Sequence, residues 1–165
     1  MRFVFRIILL AVVLIVAITH FTKASPAESH VVCLAKNMYY EARNQGTAGL
    51  LAVVSVVFNR VNDPRFPNSI CEVIKQGQAY KNGKMVLHKC QFSWYCDGKR
   101  DEITMNTRAW SRALDYASIV LSGRIVMDVT QGSLWYHAYY VKPSWARQKE
   151  RVTRIDSHIF YRRKK

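Results

Sequence analysis

One stretch decides most of the architecture. From Thr47 to about Val61 the chain reads TAGLLAVVSVVFNRV, and Leu50, Val53, Val54, Val57, Phe58 and Val61 recur at helical spacing. A helix this apolar has little surface to offer water, so it belongs in the middle of the fold with other elements around it. A chain of 165 residues supplies those elements for one domain and hardly two. Half the residues are hydrophobic and 12% are aromatic, which excludes a largely disordered chain.

The flanking elements follow from the same periodicity. A helix is expected from Ser29 or His30 through VVCLAKNMYYEAR, with Val31, Leu34, Ala35, Met38 and Ala42 on its apolar side and Asn44 and Gly46 interrupting it. Asp63-Pro64 and Phe66-Pro67-Asn68 end the central helix, and a short element follows around Ile70 to Ile74. Residues 76–105 read as loop, with two cysteines and several aromatics, which suggests a stapled substrate-binding loop. Asn106 or Thr107 can cap a third helix with Trp110, Ala113, Leu114, Ala117, Val120 and Leu121 as its stripe and Gly123 as its stop. Leu134 to Val141 and Arg151 to Tyr161 have the aromatic and β-branched content of short strands. The fold class is therefore mainly α with a small β component (α+β), in a single domain.

The first residues concern location. Arg2 and Arg6 precede an apolar run from Ile7 to Ile18, which fits a secretory signal peptide better than a membrane span. Counting Phe3 to Phe21 lengthens the run, so residues 1–24 are a signal peptide or an N-terminal membrane anchor, 25–31 a linker, and 32–165 the functional domain. The chain is expected in the periplasm or cell wall, or anchored to the inner membrane facing the periplasm. In such an oxidising compartment Cys33, Cys71, Cys90 and Cys96 read as two disulfides with three possible connectivities. A small Cys90–Cys96 loop, leaving Cys33 with Cys71, is one of them. A zinc site from His88, Cys90 and Cys96 is the competing reading, though zinc sites usually space their cysteines more tightly. The net charge of +14 favours an anionic partner such as cell envelope or wall. Export and the absence of a recognition motif speak against nucleic acid.

Glu41 is the residue with chemical promise. It lies one turn before a helix breaker, where the negative end of the helix dipole disfavours a carboxylate. Met38, Tyr39 and Tyr40 would desolvate it, and both effects raise a carboxyl pKa. A glutamic acid kept protonated near neutrality is what general-acid attack on a glycosidic oxygen requires. The bland alternative is a surface Glu paired with Arg43 or Lys36.

Several separated segments carry a resemblance. CLAKNMYYEAR, QGTAGLLAVVSVVFNRV, FPNSICEVI, CQFSWYCDG and the tail GSLWYHAYYVKPSWARQKERVTRIDSHIFYRR occur in the order seen in SleB-type cell-wall hydrolases, from about Cys33 to Tyr161. The chain resembles the catalytic domain of that family, which includes spore-cortex-lytic enzymes and phage or bacterial relatives. The resemblance implies a lysozyme-like domain that cleaves peptidoglycan as a lytic transglycosylase, between N-acetylmuramic acid and N-acetylglucosamine. It implies the Glu of the EAR motif, here Glu41, as acid/base, and no metal or organic cofactor. The family commonly reads EARGE where this chain has Asn44 and Gln45 after Arg43. Asn44 tolerates a left-handed backbone, and Gln45 keeps the shape of Glu without its charge.

A transglycosylase can use one carboxyl group twice, whereas hydrolysing glycosidases normally use two. Asp97, Asp101, Glu102 and Asp128 are the candidates for a second, with solvated loop positions as the alternative. Sugar contact is expected from Tyr40, Gln45, Gln91, Phe92, Trp94, Tyr136 and His137, with Trp145 as a further ring. Core packing is the favoured reading at Tyr40 and Phe92 and less so at Trp94, which sits in a polar loop. His137 could also orient Glu41. Asn59 and Arg60 read as anchors for the loop after the central helix. The expected partner is the peptidoglycan glycan strand, bound by a monomer with possible N-terminal membrane association. Two readings compete with a lytic glycosidase. One is an N-acetylmuramoyl-L-alanine amidase, which needs zinc, although His88, His137 and His158 are scattered and no HExxH pair occurs. The other is a non-catalytic cationic wall-binding module.

Overall fold

The computed structural model describes residues 29–103, 107–125 and 127–164. The signal or anchor expected at 1–24 lies outside these residues, as does Asn106. Helix α1 spans His30–Ala42, and the Ser29 hydroxyl caps it by accepting the Val32 N–H at 3.3 Å. It ends through Arg43 in a right-handed conformation, and Asn44 is not among the residues with positive φ. The left-handed turn that Asn44 would have tolerated is thus not used. Helix α2 is Thr47–Val61, as its apolar spacing predicts. Helix α3, Ile70–Ile74, starts with a capping box: Ser69 accepts the Glu72 N–H at 3.4 Å and donates to the Glu72 carboxylate at 2.8 Å. Helix α4, Arg108–Leu121, is capped by Thr107, and Gly123 takes a φ of 73° just beyond its end.

Helix α2 is wrapped on both sides. Leu50, Val53, Val54 and Val57 pack with Leu34 and Met38 of α1, Val73 and Ile74 of α3, and Ala113 and Ala117 of α4. Ala52 and Val56, on its other side, meet Phe160 of a β-sheet. Each large aliphatic side chain buried here contributes about 1.5–3 kcal/mol relative to exposure. The Cys33–Cys71 disulfide ties α1 to α3 across 38 residues, a closure that in the chain-entropy account stabilises by roughly 3–4 kcal/mol.

That sheet has three antiparallel strands in the order β3–β5–β4: β3 is Trp135–Ala138, β4 Glu150–Ile155 and β5 His158–Arg162. Tyr136 sits opposite Phe160 and His137 opposite Ile159, so Tyr136 and His137 point to different faces. A two-residue turn, Asp156-Ser157, joins β4 to β5, with Asp156 at a φ of 48°. A 3-10 turn, Ser144–Gln148, leads into β4.

The segment expected to be loop contains a hairpin, β1 Gly77–Ala79 and β2 Met85–Cys90, followed by a 3-10 turn at Ser93–Cys96 that the Cys90–Cys96 disulfide closes. Its strands are largely exposed on both sides, so the sequence carries no apolar alternation to betray them. Arg60 meets the loop after α2, as expected, with its guanidinium 5.4 Å from the centre of the Phe66 ring, and Asn59 and Arg60 also anchor a second loop. Asn59 donates to the Ser133 carbonyl at 3.1 Å, and Arg60 Nε donates to the Leu134 carbonyl at 2.8 Å, fixing the entry to β3.

Candidate active site

Glu41 stands on the last turn of α1 and lines two adjoining cavities. The larger, about 550 Å³, runs past Tyr40, Gln45, Tyr140, Ser157 and His158. The smaller, about 430 Å³, runs past Ser93, Trp94, Asp97 and Asp101. Tyr40, Glu41 and Arg43 belong to both, so Glu41 lies midway along one groove. These volumes fall in the range of small-ligand sites.

The inner face of the sheet supplies the partner of Glu41. Tyr136 Oη donates to Glu41 Oε2 at 2.9 Å. Burial pushes the Glu41 carboxyl above its usual pKa, while the Tyr136 hydrogen bond and the Arg60 charge pull it back in part. Arg60 is itself buried under Phe66 and Phe92, and burial lowers its guanidinium to about 10. Burial and the neighbouring carboxyl push the Tyr136 phenol well above its usual range, so it remains a donor. With Oε2 accepting from Tyr136, the proton of a neutral Glu41 resides on Oε1.

A second layer fixes the groove floor. His158, the first residue of β5, is buried and packs edge-on to Tyr136 with ring centroids 4.8 Å apart. Gln45 Nε2 lies 3.0 Å from His158 Nδ1 and 3.4 Å from the Glu41 carbonyl. The amide therefore donates, and the His158 proton sits on Nε2. Burial, followed by the nearby His137, depresses the His158 pKa and keeps the ring neutral. Arg112 of α4 donates to the Gln45 carbonyl at 2.7 Å and the Arg43 carbonyl at 3.3 Å. Asp156 accepts the Gly46 N–H at 3.2 Å. Gly49 leaves room for this packing, since a Cβ there would stand 2.3 Å from Gln45 Oε1 and 2.7 Å from Asp156 Oδ2.

Of the residues expected to meet sugar, Tyr40, Gln45 and Trp94 line the groove with Glu41, and Tyr136 stands behind its carboxyl. Trp94 is nevertheless 8% exposed, stacks on Tyr40 at 4.7 Å and donates to Asn37 at 3.0 Å, so it backs the wall. Phe92 is a core residue, 2% exposed and covered by Arg60. Gln91 is exposed and lines neither cavity. His137 points to the outer face, where its Nε2 meets Tyr161 Oη at 3.0 Å and Trp145 abuts its ring, so it does not orient Glu41. The parity of β3 decides this.

The second-carboxylate candidates also separate. Asp97 and Asp101 line the smaller cavity, and Glu102 is exposed beside Arg100. Asp128 is a structural anchor instead: it accepts from Thr130 N at 2.8 Å, Thr130 Oγ1 at 2.6 Å and Asn59 Nδ2 at 3.1 Å, and those bonds hold its carboxyl low. Cys90 and Cys96 are joined to each other, which removes both from the proposed zinc set. Among the described residues no group of three His, Cys, Asp or Glu side chains is placed to hold a metal ion. Sequence reasoning passed over His158 as a groove residue, and it missed Asp156, Arg112 and Tyr140. The one usable signal was that His158 and Phe160 share a strand face.

Residues 44–161 match the family model described as Cell Wall Hydrolase, a stretch beginning just after Glu41. The spore cortex-lytic enzyme of Bacillus subtilis (strain 168) is 30% identical over 128 residues, covering 77% of this chain and 35% of that protein. The spore cortex-lytic enzyme of Halalkalibacterium halodurans is 28% identical over 138 residues, covering 83% and 36%. The chain thus spans about a third of the length of these relatives. The catalytic domain of the germination-specific lytic transglycosylase SleB from Bacillus anthracis shares the fold, with a TM-score of 0.59, 22% identity, and coverage of 86% of this chain and all of that one. The catalytic domain of Bacillus cereus SleB gives a TM-score of 0.50 at 21% identity, covering 86% and 99%.

Proposed function

Starting from the cell wall hydrolase family, to which this chain belongs, we propose that it cleaves peptidoglycan glycan as a lytic transglycosylase with Glu41 as acid and then base. The observation that carries this reading is a half-buried glutamic acid with a raised pKa at the middle of a groove. Glu41 Oε1 gives its proton to the glycosidic oxygen between N-acetylmuramic acid and N-acetylglucosamine. The bond to the muramic C1 breaks with oxocarbenium character. The carboxylate then takes the proton of the muramic 6-hydroxyl as that oxygen closes on C1, leaving a 1,6-anhydro end and a regenerated acid. No water is consumed.

The groups that shift the Glu41 proton are Tyr136 and Arg60, and Asp97 and Asp101, which line the smaller cavity with it, are the carboxyl groups a two-carboxylate mechanism would draw on. A hydrolase would need a second carboxyl group within roughly 5–9.5 Å, placed for water or for covalent attack. The groove residues named above all come from one chain, which supports a monomer as the working unit. The apolar run at 7–18 supports export, and the charge of +14 would concentrate the enzyme on anionic wall.

The test is mass spectrometry of purified peptidoglycan digested by wild type and by Glu41→Gln. Wild type should release muropeptides one water lighter than hydrolytic products. Glu41→Gln should lose at least about a hundredfold in rate, the usual scale of general acid–base catalysis. Reducing-end muramic acid would assign a hydrolytic muramidase, and free stem peptides an amidase.

A further inference from the structure

The outer face of the sheet carries a second cavity, about 580 Å³, that the lytic reading does not use. Its floor is His137, Ile159 and Tyr161, residues that alternate with the inward-facing Tyr136 and Phe160. Lys142 and Arg147 stand exposed on its rim. From 139 to 164 the chain has eight Lys or Arg against Glu150 and Asp156, and Glu150 is held by Arg162. The cavity therefore combines aromatic and aliphatic walls with a cationic edge. Sugar rings pack against such walls, and carboxylates pair with such an edge.

Its position is as informative as its lining. The turn that closes β3 has the Val141 N–H bonded to the Ala138 carbonyl at 2.9 Å. Across this turn the side chains alternate: Ala138 and Tyr140 line the Glu41 groove, while Tyr139 and Val141 line the outer cavity. Tyr139 and Tyr140 are 50% and 74% exposed, with ring centroids 5.4 Å apart. The two adjoining rings thus form a ridge with one side on each cavity. Tyr140 is the more open of the two rings, since the Arg154 guanidinium lies 4.3 Å over Tyr139.

We propose that the outer cavity is a distal binding site for the same peptidoglycan strand, which leaves the Glu41 groove, crosses the Tyr140–Tyr139 ridge and sets its stem-peptide carboxylates against Lys142 and Arg147. This rests on the lytic reading, because the strand is the polymer that Glu41 would cut. The site makes long strands better ligands than short ones without touching the reacting bond. It lies on the face opposite Tyr136, so its loss should leave the chemistry intact.

Co-sedimentation of the full chain with insoluble peptidoglycan, and titration with a purified tetrasaccharide fragment, test it. Glu41→Gln serves as parent so that the polymer stays whole. Adding Arg147→Ser, or Lys142→Ser as an independent variant at the same rim, should weaken wall binding about tenfold, the loss typical of a well-placed contact. The tetrasaccharide, filling only the groove, should bind as before. Unchanged wall binding in both variants overturns the proposal, as does an equal loss on both probes. A parent that binds neither probe overturns the lytic reading itself, so the two failures are distinguishable. Thermal melting of each variant establishes that these exposed substitutions leave the fold intact.

Discussion

The two faces of the β3–β5–β4 sheet are built from neighbouring residues and do opposite jobs. On the inner face Tyr136, His158 and Phe160 pack toward α2 and close around Glu41. On the outer face His137, Ile159 and Tyr161 floor a wide cavity with a basic rim. Composition barely separates them, since each has a histidine and a tyrosine. Burial and the partner across the interface do. The Tyr136 phenol meets a half-buried carboxyl group at the groove floor, where a hydrogen bond shifts a proton equilibrium, while the Tyr161 hydroxyl meets a neighbouring imidazole.

Substitutions that respect or violate this division should differ in size. The largest effect is expected for Arg60→Met, which leaves the Leu134 carbonyl without its donor and removes a charge from behind Glu41. Urea denaturation should show a loss of roughly 2–4 kcal/mol, as for other broken buried charged hydrogen bonds. Tyr136→Phe should fold normally and lose about tenfold in turnover, because the ring stays and only the hydrogen bond to Glu41 goes. Gly49→Ala should come next. Its methyl group would displace Gln45 and Asp156 from the groove floor, and we expect a several-fold fall in turnover with a modest fall in melting temperature. His137→Phe should be smallest, within about twofold in turnover and at most about 1 kcal/mol in stability, since it forfeits one outer-face hydrogen bond. A His137→Phe variant as impaired as Tyr136→Phe would erase the distinction between the faces.

Proton linkage gives a further contrast. Glu41 has a raised pKa in the folded chain, so its contribution to stability is fully present below the unfolded value of 4.5 and is lost as pH rises through the folded one. Glu41→Gln should therefore melt higher than wild type at about pH 8, with the gap closing toward about pH 4. Asp128, held low by its hydrogen bonds, runs the other way: its stabilisation is present above the unfolded value of 3.8 and disappears as the solution is acidified. Asp128→Asn should melt lower than wild type at neutral pH and approach it in acid.

These contrasts also mark what the sequence could say. Helices α1, α2 and α4 were legible to within a residue or two, because their apolar spacing is strong and Ser29 and Thr107 announce two of the starts. The β1–β2 hairpin was not, because its exposed strands have no alternation to read. Glu41 was legible from its place near a helix end and from the segments resembling cell-wall hydrolases. Asp156 and Arg112 reach the groove from distant parts of the chain, so no local pattern announces them, and His158 had only the strand face it shares with Phe160. In WYHAYY aromatic residues fall on both parities, so period alone could not say which of Tyr136 and His137 would meet Glu41. Trp94 shows the matching error, for an aromatic in a polar loop is as able to pack inward as to meet sugar, whereas core packing was the favoured reading for Phe92.

The central claim is that a shielded Glu41 carries the catalytic proton, with Tyr136 biasing its equilibrium. The pH–rate profile of peptidoglycan cleavage tests it most directly, with wild type and Tyr136→Phe side by side. The account predicts an alkaline limb above the ordinary glutamate pKa of 4.5, and a move of that limb to higher pH in Tyr136→Phe, because the lost hydrogen bond favoured the carboxylate. A limb at the ordinary glutamate value, or one that Tyr136→Phe leaves in place, would contradict it.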